Sequence, residues 1–461
     1  MVEARVPTDE VTLPPDLEIG VATSSWQIEG ASASRGRCIW DDFAGQPGAI
    51  VDGCRADPAA RHVERVEEDL DLLGWLGVDA YRFSVSWPRV LPEGSGVVSG
   101  PGLDFYDRLV DGLLARGIAP AATLYHWDLP SVLQERGGWP ERDTAARFAD
   151  YAGVVADRLG DRVQRWATLN EPWCAAFLGH ASGVHAPGWR DGAAAYRAAH
   201  HLLLGHGWAM EQLRSRGVRE PGIVLNLIPV LAETESAVPA ARFVDAVQNR
   251  LFLDPLGGRG VPADLIEGTR ALTDWSFVRP GDEAAIAAPL AWLGENYYSV
   301  TRVAAGARTD GDDREAAGFP GAPPLRFAPR PPVTDMGWEI VPDGLVTALR
   351  MAEAALPGVP LWVTENGAAV AETVDGSAVH DPQRTAYLQA HLAAVVRARA
   401  EGLPVRGYYA WSLLDNLEWA WGWTARFGLV RVDEDDPTRR PKDSALWLRA
   451  RLAERQRHPA A

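Results

Sequence analysis

The chain has 461 residues, of which 62 are Asp or Glu and 45 are Lys or Arg, so its formal net charge is -17 at pH 7. This excess of negative charge argues against nucleic acid and anionic membranes as partners, although it places no restriction on a neutral substrate. A hydrophobic content of 47% and a charged content of 23% are ordinary for a soluble globular protein. The length fits two or three average domains, or one large α/β barrel with insertions.

The N-terminal residues and the cysteines bear on location. Residues 1–16 lack the basic and apolar regions of a signal peptide, and we expect a flexible N-terminal segment there. No run of 18 apolar residues is present, which predicts no transmembrane helix. Cys38, Cys54 and Cys174 are odd in number and lack metal-ligand spacing, which favours a reducing cytoplasm and predicts no metal site.

Strand-like and helix-like stretches alternate along the chain. The predicted strands are 17–24, 79–85, 118–124, 163–170, 222–228, 291–298, 360–365 and 405–411. The predicted helices are 61–76, 105–115, 144–159, 193–214, 344–353 and 382–400. Eight such strands predict a closed parallel (β/α)8 TIM barrel with long βα loops. Because no shift in composition marks a boundary, residues 1–461 are expected to form a single domain.

The alternative to the barrel is an open doubly wound sheet. That fold would be expected to show a Gly-rich phosphate turn between an early strand and a helix, and the Gly94-Ser95-Gly96 stretch opens no helix. One stretch, 304–332, is rich in Pro, Gly, Ala and Arg and is too long for an ordinary connection. It predicts a lid, a loop at the substrate entrance, or a mobile insertion.

Two carboxylates stand at the ends of predicted strands. In Leu-Trp-Val-Thr-Glu-Asn-Gly at 361–367, an apolar strand runs into Glu365 and the Asn-Gly turn ends it. Thr-Leu-Asn-Glu-Pro at 168–172 places Glu171 in the same way. A buried carboxylate is costly unless it is hydrogen-bonded, paired or used. Two of them fit an active site at the C-terminal ends of barrel strands.

Nearly every predicted strand ends in a polar or aromatic side chain of the kind that binds hydroxyl groups or stacks on sugar rings. These candidate site residues are Gln27, Arg82, His126, Asn170, Glu171, Asn226, Tyr298, Glu365 and Trp411, with Glu418 and Trp419 shortly after the last strand.

The motifs around these residues resemble those of glycoside hydrolase family 1, of the β-glucosidase type, from Leu17 to Trp447. They are ATSSWQIEG at 22–30, YRFSVSWPR at 81–89, LYHWDLP at 124–130, TLNEP at 168–172, NYY at 296–298, TENG at 364–367 and WSLLDN at 411–416. Their number and their order along the chain make the resemblance specific.

The resemblance implies a retaining mechanism in which Glu171 is the acid/base and Glu365 the nucleophile. Retention requires the two carboxyl groups to lie roughly 5–5.5 Å apart. The resemblance places Arg82 and Tyr298 beside the nucleophile, where a cation and a hydroxyl donor would keep Glu365 ionised. Asn170 is expected to hold the 2-hydroxyl of the sugar.

The resemblance also implies a glycone pocket, and its residues are expected to be Gln27, His126, Glu418 and Trp419, which hold sugar hydroxyls, and Trp411, which forms the stacking floor. Trp338 is expected to flank the leaving group or, alternatively, to fill the core. Asn226 is expected either to contact the site or only to satisfy nearby backbone groups. Two positions depart from the family pattern: Leu417 replaces an aromatic residue, and Glu295 replaces an apolar one and brings a charge near the barrel end.

The implied activity is hydrolysis of terminal β-D-glucosyl residues from a small β-glucoside or a short oligosaccharide, with side activity on β-galactosides or β-fucosides and a place in cellulose and polysaccharide degradation. No cofactor is expected, and self-association into a homo-oligomer is left open. One alternative is a 6-phospho-β-glucosidase, although Glu418 would repel a phosphate. The other is a non-catalytic sugar-binding relative, which would typically have lost one of the two carboxylates.

Overall fold

The computed structural model describes residues 11–306 and 316–457. The first ten residues of the predicted flexible segment and residues 307–315 of the long loop lie outside the described part. From residue 11 onwards the predicted segment packs against the barrel. Val11 and Leu13 are buried, and Asp16 forms an ion pair with Arg399 at 2.5 Å. These contacts oppose flexibility in residues 11–16, because apolar burial and an ion pair fix the chain there.

Eight parallel strands form a closed barrel, as the sequence predicts, and the open-sheet alternative is wrong. The strands are β1 Glu18–Ala22, β2 Ala80–Ser84, β3 Ala119–Tyr125, β4 Arg165–Asn170, β5 Glu220–Leu225, β6 Trp292–Asn296, β7 Leu361–Asn366 and β8 Val405–Trp411. Each strand pairs with the next one, and β1 pairs with both β2 and β8, which closes the sheet. Closure brings the C-terminal ends of all eight strands around one opening.

Helices surround the barrel. The longer ones are Val66–Leu76, Gly100–Ala115, Arg142–Leu159, Gly192–Ser215, Val238–Asp245, Pro342–Ala355, Pro382–Ala400 and Asp443–Arg457. Shorter helices are Ser25–Ile28, Ile39–Ala44, Trp87–Val90, Ser131–Gln134, Leu251–Leu256, Ala263–Thr269 and Asp282–Ile286, and wider π-helical turns span Cys174–Ser182 and Ala246–Arg250. All six predicted helices are present.

Several short strands lie outside the barrel. Val230–Ala232, Thr301–Ala305 and Leu325–Phe327 form one small sheet, Thr373–Asp375 pairs with Ala378–His380, and Val430–Arg431 pairs with Arg440–Pro441. The long loop predicted at 304–332 is therefore partly ordered into strands. Its Phe319 packs against Trp173 with ring centroids 5.4 Å apart, which places this part of the loop beside the strand end that carries Glu171.

Large aromatic side chains close the end of the barrel at which the strands begin. Trp292, Trp362 and Tyr409 are buried in a cluster with small alanines of the facing strands. A Cβ at Gly407 would lie 2.3 Å from the Trp362 ring, so only glycine leaves room for that indole. Arg165 stacks on Trp362 at 4.0 Å from the ring centroid. Because this end is filled, the opening at the other end is the place for a site.

In the described part of the chain, no helix combines the length and the apolar character needed to cross a membrane.

Candidate active site

Glu365, at the end of β7, is fully enclosed by groups that favour its charged form. Arg82 on β2 donates from Nη1 to Oε1 at 2.6 Å, and the Tyr298 hydroxyl donates to Oε2 at 2.7 Å. Burial raises the pKa of Glu365, whereas Arg82 and Tyr298 oppose that rise by stabilising the carboxylate. The predicted neighbours of this residue are therefore in direct contact with it.

Glu171 follows β4 in a different environment. Its Oε1 accepts a hydrogen bond from Asn296 Nδ2 at 2.7 Å, and its Oε2 accepts one from the Cys174 thiol at 3.1 Å. In the described part of the chain, Glu171 forms no ion pair with an Arg or Lys side chain. Burial, followed by the neighbouring charge of Glu365, raises the pKa of Glu171 to about 7. A carboxyl group with such a pKa can both give and take a proton near neutral pH.

A hydrogen-bond network joins the two carboxyl groups. Asn170 Oδ1 accepts from Arg82 Nη2 at 2.6 Å and from Asn296 Nδ2 at 3.0 Å. Asn296 Oδ1 in turn accepts from the Thr364 hydroxyl at 2.8 Å. The amide of Asn296 thus bonds to Glu171 while its oxygen is held by the residue before Glu365. Both carboxyl groups are consequently fixed by one set of buried side chains.

Asn296 was not among the predicted site residues, although it stands in the NYY motif. The barrel register pairs Glu365 with Asn296 across β7 and β6. A sequence signal was available, because Asn296 is a polar residue at the end of a predicted strand. Only the register, however, shows that the strand end beside Glu365 belongs to Asn296.

His126 and Asn170 form a polar pair on the other side of the network. Arginine only donates hydrogen bonds, so the Asn170 oxygen faces Arg82 and its amide nitrogen faces His126, 3.0 Å from Nε2. His126 Nε2 then accepts, and the hydrogen is on Nδ1, which has no partner among the described residues. Burial lowers the pKa of His126 well below its ordinary value, so the ring is neutral. Its Nδ1–H group is available for a hydroxyl.

Gln27 and Glu418 meet at the loop that follows β8. Gln27 Nε2 donates to Asn416 Oδ1 and to the Leu417 carbonyl oxygen, both at 2.9 Å, and lies 3.4 Å from Glu418 Oε2. Leu417, the departure from the family pattern, is fully buried, and its backbone anchors Gln27. Burial, together with the charges of Glu365 and Glu171, raises the pKa of Glu418 to about 8.

Three predicted tryptophans lie around this polar group. Trp419 stacks on Trp26 with ring centroids 5.7 Å apart, and Trp411 stacks on His126 at 5.9 Å. Trp338 is half-buried and packs on Tyr298 at 5.5 Å. Trp338 therefore borders a residue that bonds Glu365, whereas Trp411 and Trp419 both stack on His126, the partner of Asn170.

Three of the seven non-glycine residues with a positive φ angle in the described chain lie at the site. Glu171, Trp127 and Trp419 have positive φ angles of 45°, 74° and 50°, in the left-handed region that favours glycine. Each such residue costs about 1–3 kcal/mol and persists only where its surroundings hold it. Indole Nε1 of Trp127 donates to the Asn170 carbonyl oxygen at 2.9 Å, which ties two of the site loops together.

Two candidates lie behind the site. Asn226 donates from Nδ2 to the Cys174 sulfur at 3.5 Å and reaches Glu171 only through that thiol. Glu295 is fully buried and accepts the backbone N–H of Leu227 at 3.2 Å. Burial raises the pKa of Glu295 well above its ordinary range, so the charge expected near the barrel end is replaced by a neutral acid. Among the described residues, no three His, Cys, Asp or Glu side chains are placed to hold a metal ion.

The fold and the site define a class: a (β/α)8-barrel enzyme that carries two buried carboxyl groups at the ends of its strands. The model of glycosyl hydrolase family 1 matches residues 9–457, and the chain belongs to that family.

Relatives of known activity match it over nearly their full length. The chain is 46% identical to a bifunctional β-D-glucosidase/β-D-fucosidase of Bifidobacterium breve, over 96% of this chain and 98% of the relative. It is 47% identical to thermostable β-glucosidase B of Thermobispora bispora, over 95% of this chain and 90% of the relative. The crystal structure of a psychrophilic β-glucosidase from Micrococcus antarcticus superposes with a TM-score of 0.92 at 42% identity, over 96% and 98% of the two chains.

Proposed function

We propose that this chain is a β-glucosidase that removes terminal β-D-glucosyl residues with retention of configuration, and that the whole chain acts as one catalytic domain. The observation that carries the proposal is the contrast between two buried carboxyl groups. Glu365 is held by Arg82 and Tyr298, whereas Glu171 has a pKa of about 7 and bonds only neutral groups. One group is thus suited to attack and the other to proton transfer.

In the first step, a carboxylate oxygen of Glu365 attacks the anomeric carbon. The bond between that carbon and the leaving oxygen breaks as the Glu171 proton moves to the leaving oxygen. In the second step, a water molecule gives a proton to Glu171. The oxygen of that water attacks the anomeric carbon, and the bond between this carbon and Glu365 breaks. Glu171 ends protonated and Glu365 ends ionised, as they began. Asn170, fixed by Arg82 and Asn296, is suited to hold the 2-hydroxyl.

The remaining site residues define the sugar pocket. Gln27, His126 and Glu418 offer hydrogen-bonding groups, and Trp411 and Trp419 offer flat apolar faces. Trp338 lies on the Tyr298 side, where it would flank the leaving group. The relative from Bifidobacterium breve is named for both glucosidase and fucosidase activity. We therefore propose β-fucosides as additional substrates, together with short glucose oligomers from cellulose.

A cytoplasmic location is part of the proposal. All three cysteines are free and buried, which suits a reducing compartment.

A substrate pair and one variant test the function. Purified enzyme should hydrolyse an aryl β-glucoside and reject its 6-phosphate, because a dianion would lose its hydration in the buried pocket beside Glu418, whose contacts among the described residues include no cation. Glu365→Ala should abolish turnover, and azide should restore cleavage of an activated aryl glucoside by attacking in place of the missing carboxylate. Preference for the phosphorylated sugar would support the 6-phospho-β-glucosidase alternative. Absence of hydrolysis, with sugar binding retained, would support the non-catalytic one.

A further inference from the structure

Of the two described side chains that bond the Glu171 carboxyl group, Cys174 is the one that can change its hydrogen-bonding role. The Cys174 sulfur lies 3.1 Å from Glu171 Oε2, and the residue is buried on the π-helical segment that begins directly after the acid/base motif. The other bonded neighbour, Asn296, contacts the opposite oxygen through an amide that only donates there. A thiol is both a weak donor and a weak acceptor, so it can face either protonation state of a carboxyl group.

The direction of the thiol hydrogen is set by Asn226. Its Nδ2 donates to the Cys174 sulfur at 3.5 Å, which uses the acceptor side of the sulfur. Gln248 donates to the Asn226 backbone oxygen at 3.1 Å and holds the Asn226 segment in place. With an amide N–H directed at the sulfur, the thiol hydrogen is left to point at Glu171 Oε2. Cys174 therefore stabilises the ionised form of Glu171.

We propose that Cys174 is a positioning residue for the acid/base, whose thiol holds Glu171 Oε2 and sets how readily Glu171 releases its proton. This inference rests on the proposed role of Glu171 and adds to it. A thiol donates weakly, so it stabilises the carboxylate less than a hydroxyl would, and a substantial fraction of Glu171 remains protonated at neutral pH. The raised pKa of the buried Cys174 thiol is consistent with this role, since the neutral thiol is the form that donates.

Other charged and titratable groups also act on Glu171, and the test has to separate the thiol from them. They are Arg82, Glu365, Tyr298, Glu418 and Glu295. None of them is altered by a substitution at position 174. Cys174 also lines a small cavity together with Trp40, Tyr125 and Trp139.

The experiment compares the pH dependence of kcat/KM for an aryl β-glucoside in Cys174→Ser, Cys174→Val and wild-type enzyme. Serine is a stronger donor and should move the alkaline limb to lower pH. Valine removes the donor and should move the limb to higher pH, and each shift should be roughly half a pH unit. A general structural defect would lower activity at every pH without moving the limb in opposite directions. Cys38→Ser, the same change at a buried cysteine whose contacts are Arg35 and Asp41, should leave the limb in place.

Glu171→Gln distinguishes failure of this inference from failure of the proposed function. Loss of the alkaline limb in Glu171→Gln assigns that limb to Glu171, and retention of the limb overturns the assignment. If the limb belongs to Glu171 but does not move in Cys174→Ser and Cys174→Val, or moves in the same direction in both, the positioning role of Cys174 is wrong. If Cys174→Val does not fold, a limb in Cys174→Ser that coincides with that of the wild type is sufficient to reject the role.

Discussion

At the residue scale, Glu171 and Glu365 show how one side-chain type takes two roles. Both carboxyl groups are buried, so desolvation raises the pKa of each. The charge of Glu365 is compensated by Arg82, which donates to it at 2.6 Å. Glu171 accepts hydrogen bonds only from an amide and a thiol. The proton therefore resides on Glu171 when the pair holds one proton. Because the two groups interact, the apparent pKa values in a pH profile belong to the pair.

The acid role of Glu171 predicts a dependence on the leaving group. In Glu171→Ala, kcat/KM for an alkyl β-glucoside should fall by at least about 100-fold, because a poor leaving group needs the proton. The value for a dinitrophenyl β-glucoside should fall much less, since that group departs without protonation. Steady-state kinetics on the two substrates measures the difference. Equal losses on both substrates would contradict the acid role.

Replacing Glu295 with glutamine should stabilise the fold by an amount that depends on pH. Its folded pKa lies above the unfolded value, so its contribution favours folding at low pH and is lost as pH rises towards the folded value. Glu295→Gln removes this cost and should raise the free energy of unfolding, by more at pH 7 than at pH 5. Thermal unfolding at pH 5, 6 and 7 should show the gap between variant and wild type growing with pH. A gap independent of pH would contradict the neutral-acid interpretation.

At the element scale, the loop after β8 is fixed to the C-terminal segment by a buried ion pair. Lys442, the single lysine of the sequence, is fully buried and contacts Asp415 at 2.9 Å and Glu372 at 2.6 Å. Asp415 precedes Glu418 by three residues, and its Oδ1 also accepts the Gly428 N–H at 2.9 Å. The pocket loop thus depends on an interaction far along the chain.

Removing this cation should destabilise the fold strongly. Lys442→Met leaves two buried carboxylates with weaker compensation, and the free energy of unfolding should fall by about 3 kcal/mol. Arg397→Met, which removes a cation from an exposed pair with Asp343, should cost less than about 1 kcal/mol. Denaturant unfolding of both variants makes the comparison. Equal stability of the two variants would show that the buried pair does not hold the loop.

At the scale of the whole molecule, the net charge of -17 should have little effect on the binding of a neutral sugar. The site residues that carry the chemistry are buried, so bulk salt screens them little, whereas the surface charges are screened within about 8 Å at physiological ionic strength. A neutral sugar experiences no long-range steering by the surface charges. The acidic surface and the active site are therefore electrostatically independent for the proposed substrate.

This independence predicts little effect of salt on catalysis. Between 10 mM and 500 mM NaCl, kcat/KM for a neutral aryl β-glucoside should change by less than about twofold. An anionic substrate such as the 6-phosphate would bind better at high salt, because screening weakens repulsion by the acidic surface. Initial rates across the salt series measure both. A large salt effect on the neutral substrate would indicate that surface charge acts on the site.

The sequence by itself determined the barrel and pointed to the strand-end side chains that we propose as the pocket. Eight apolar strands with helices between them predict closure, and the bounds of the predicted strands lie within three residues of the observed ones. Polar residues at strand ends, such as Glu171 and Glu365, are visible because hydrophobic periodicity marks where each strand stops.

The tertiary structure decided which side chains of the site contact one another. Asn296 bonds to Glu171 because the register of β6 and β7 aligns it with Glu365, and spacing along the chain does not contain that register. The neutral state of Glu295 and the thiol contact of Cys174 likewise depend on what surrounds a side chain in three dimensions. Burial and contact, which set the pKa and the orientation of a group, arise only when distant segments pack together.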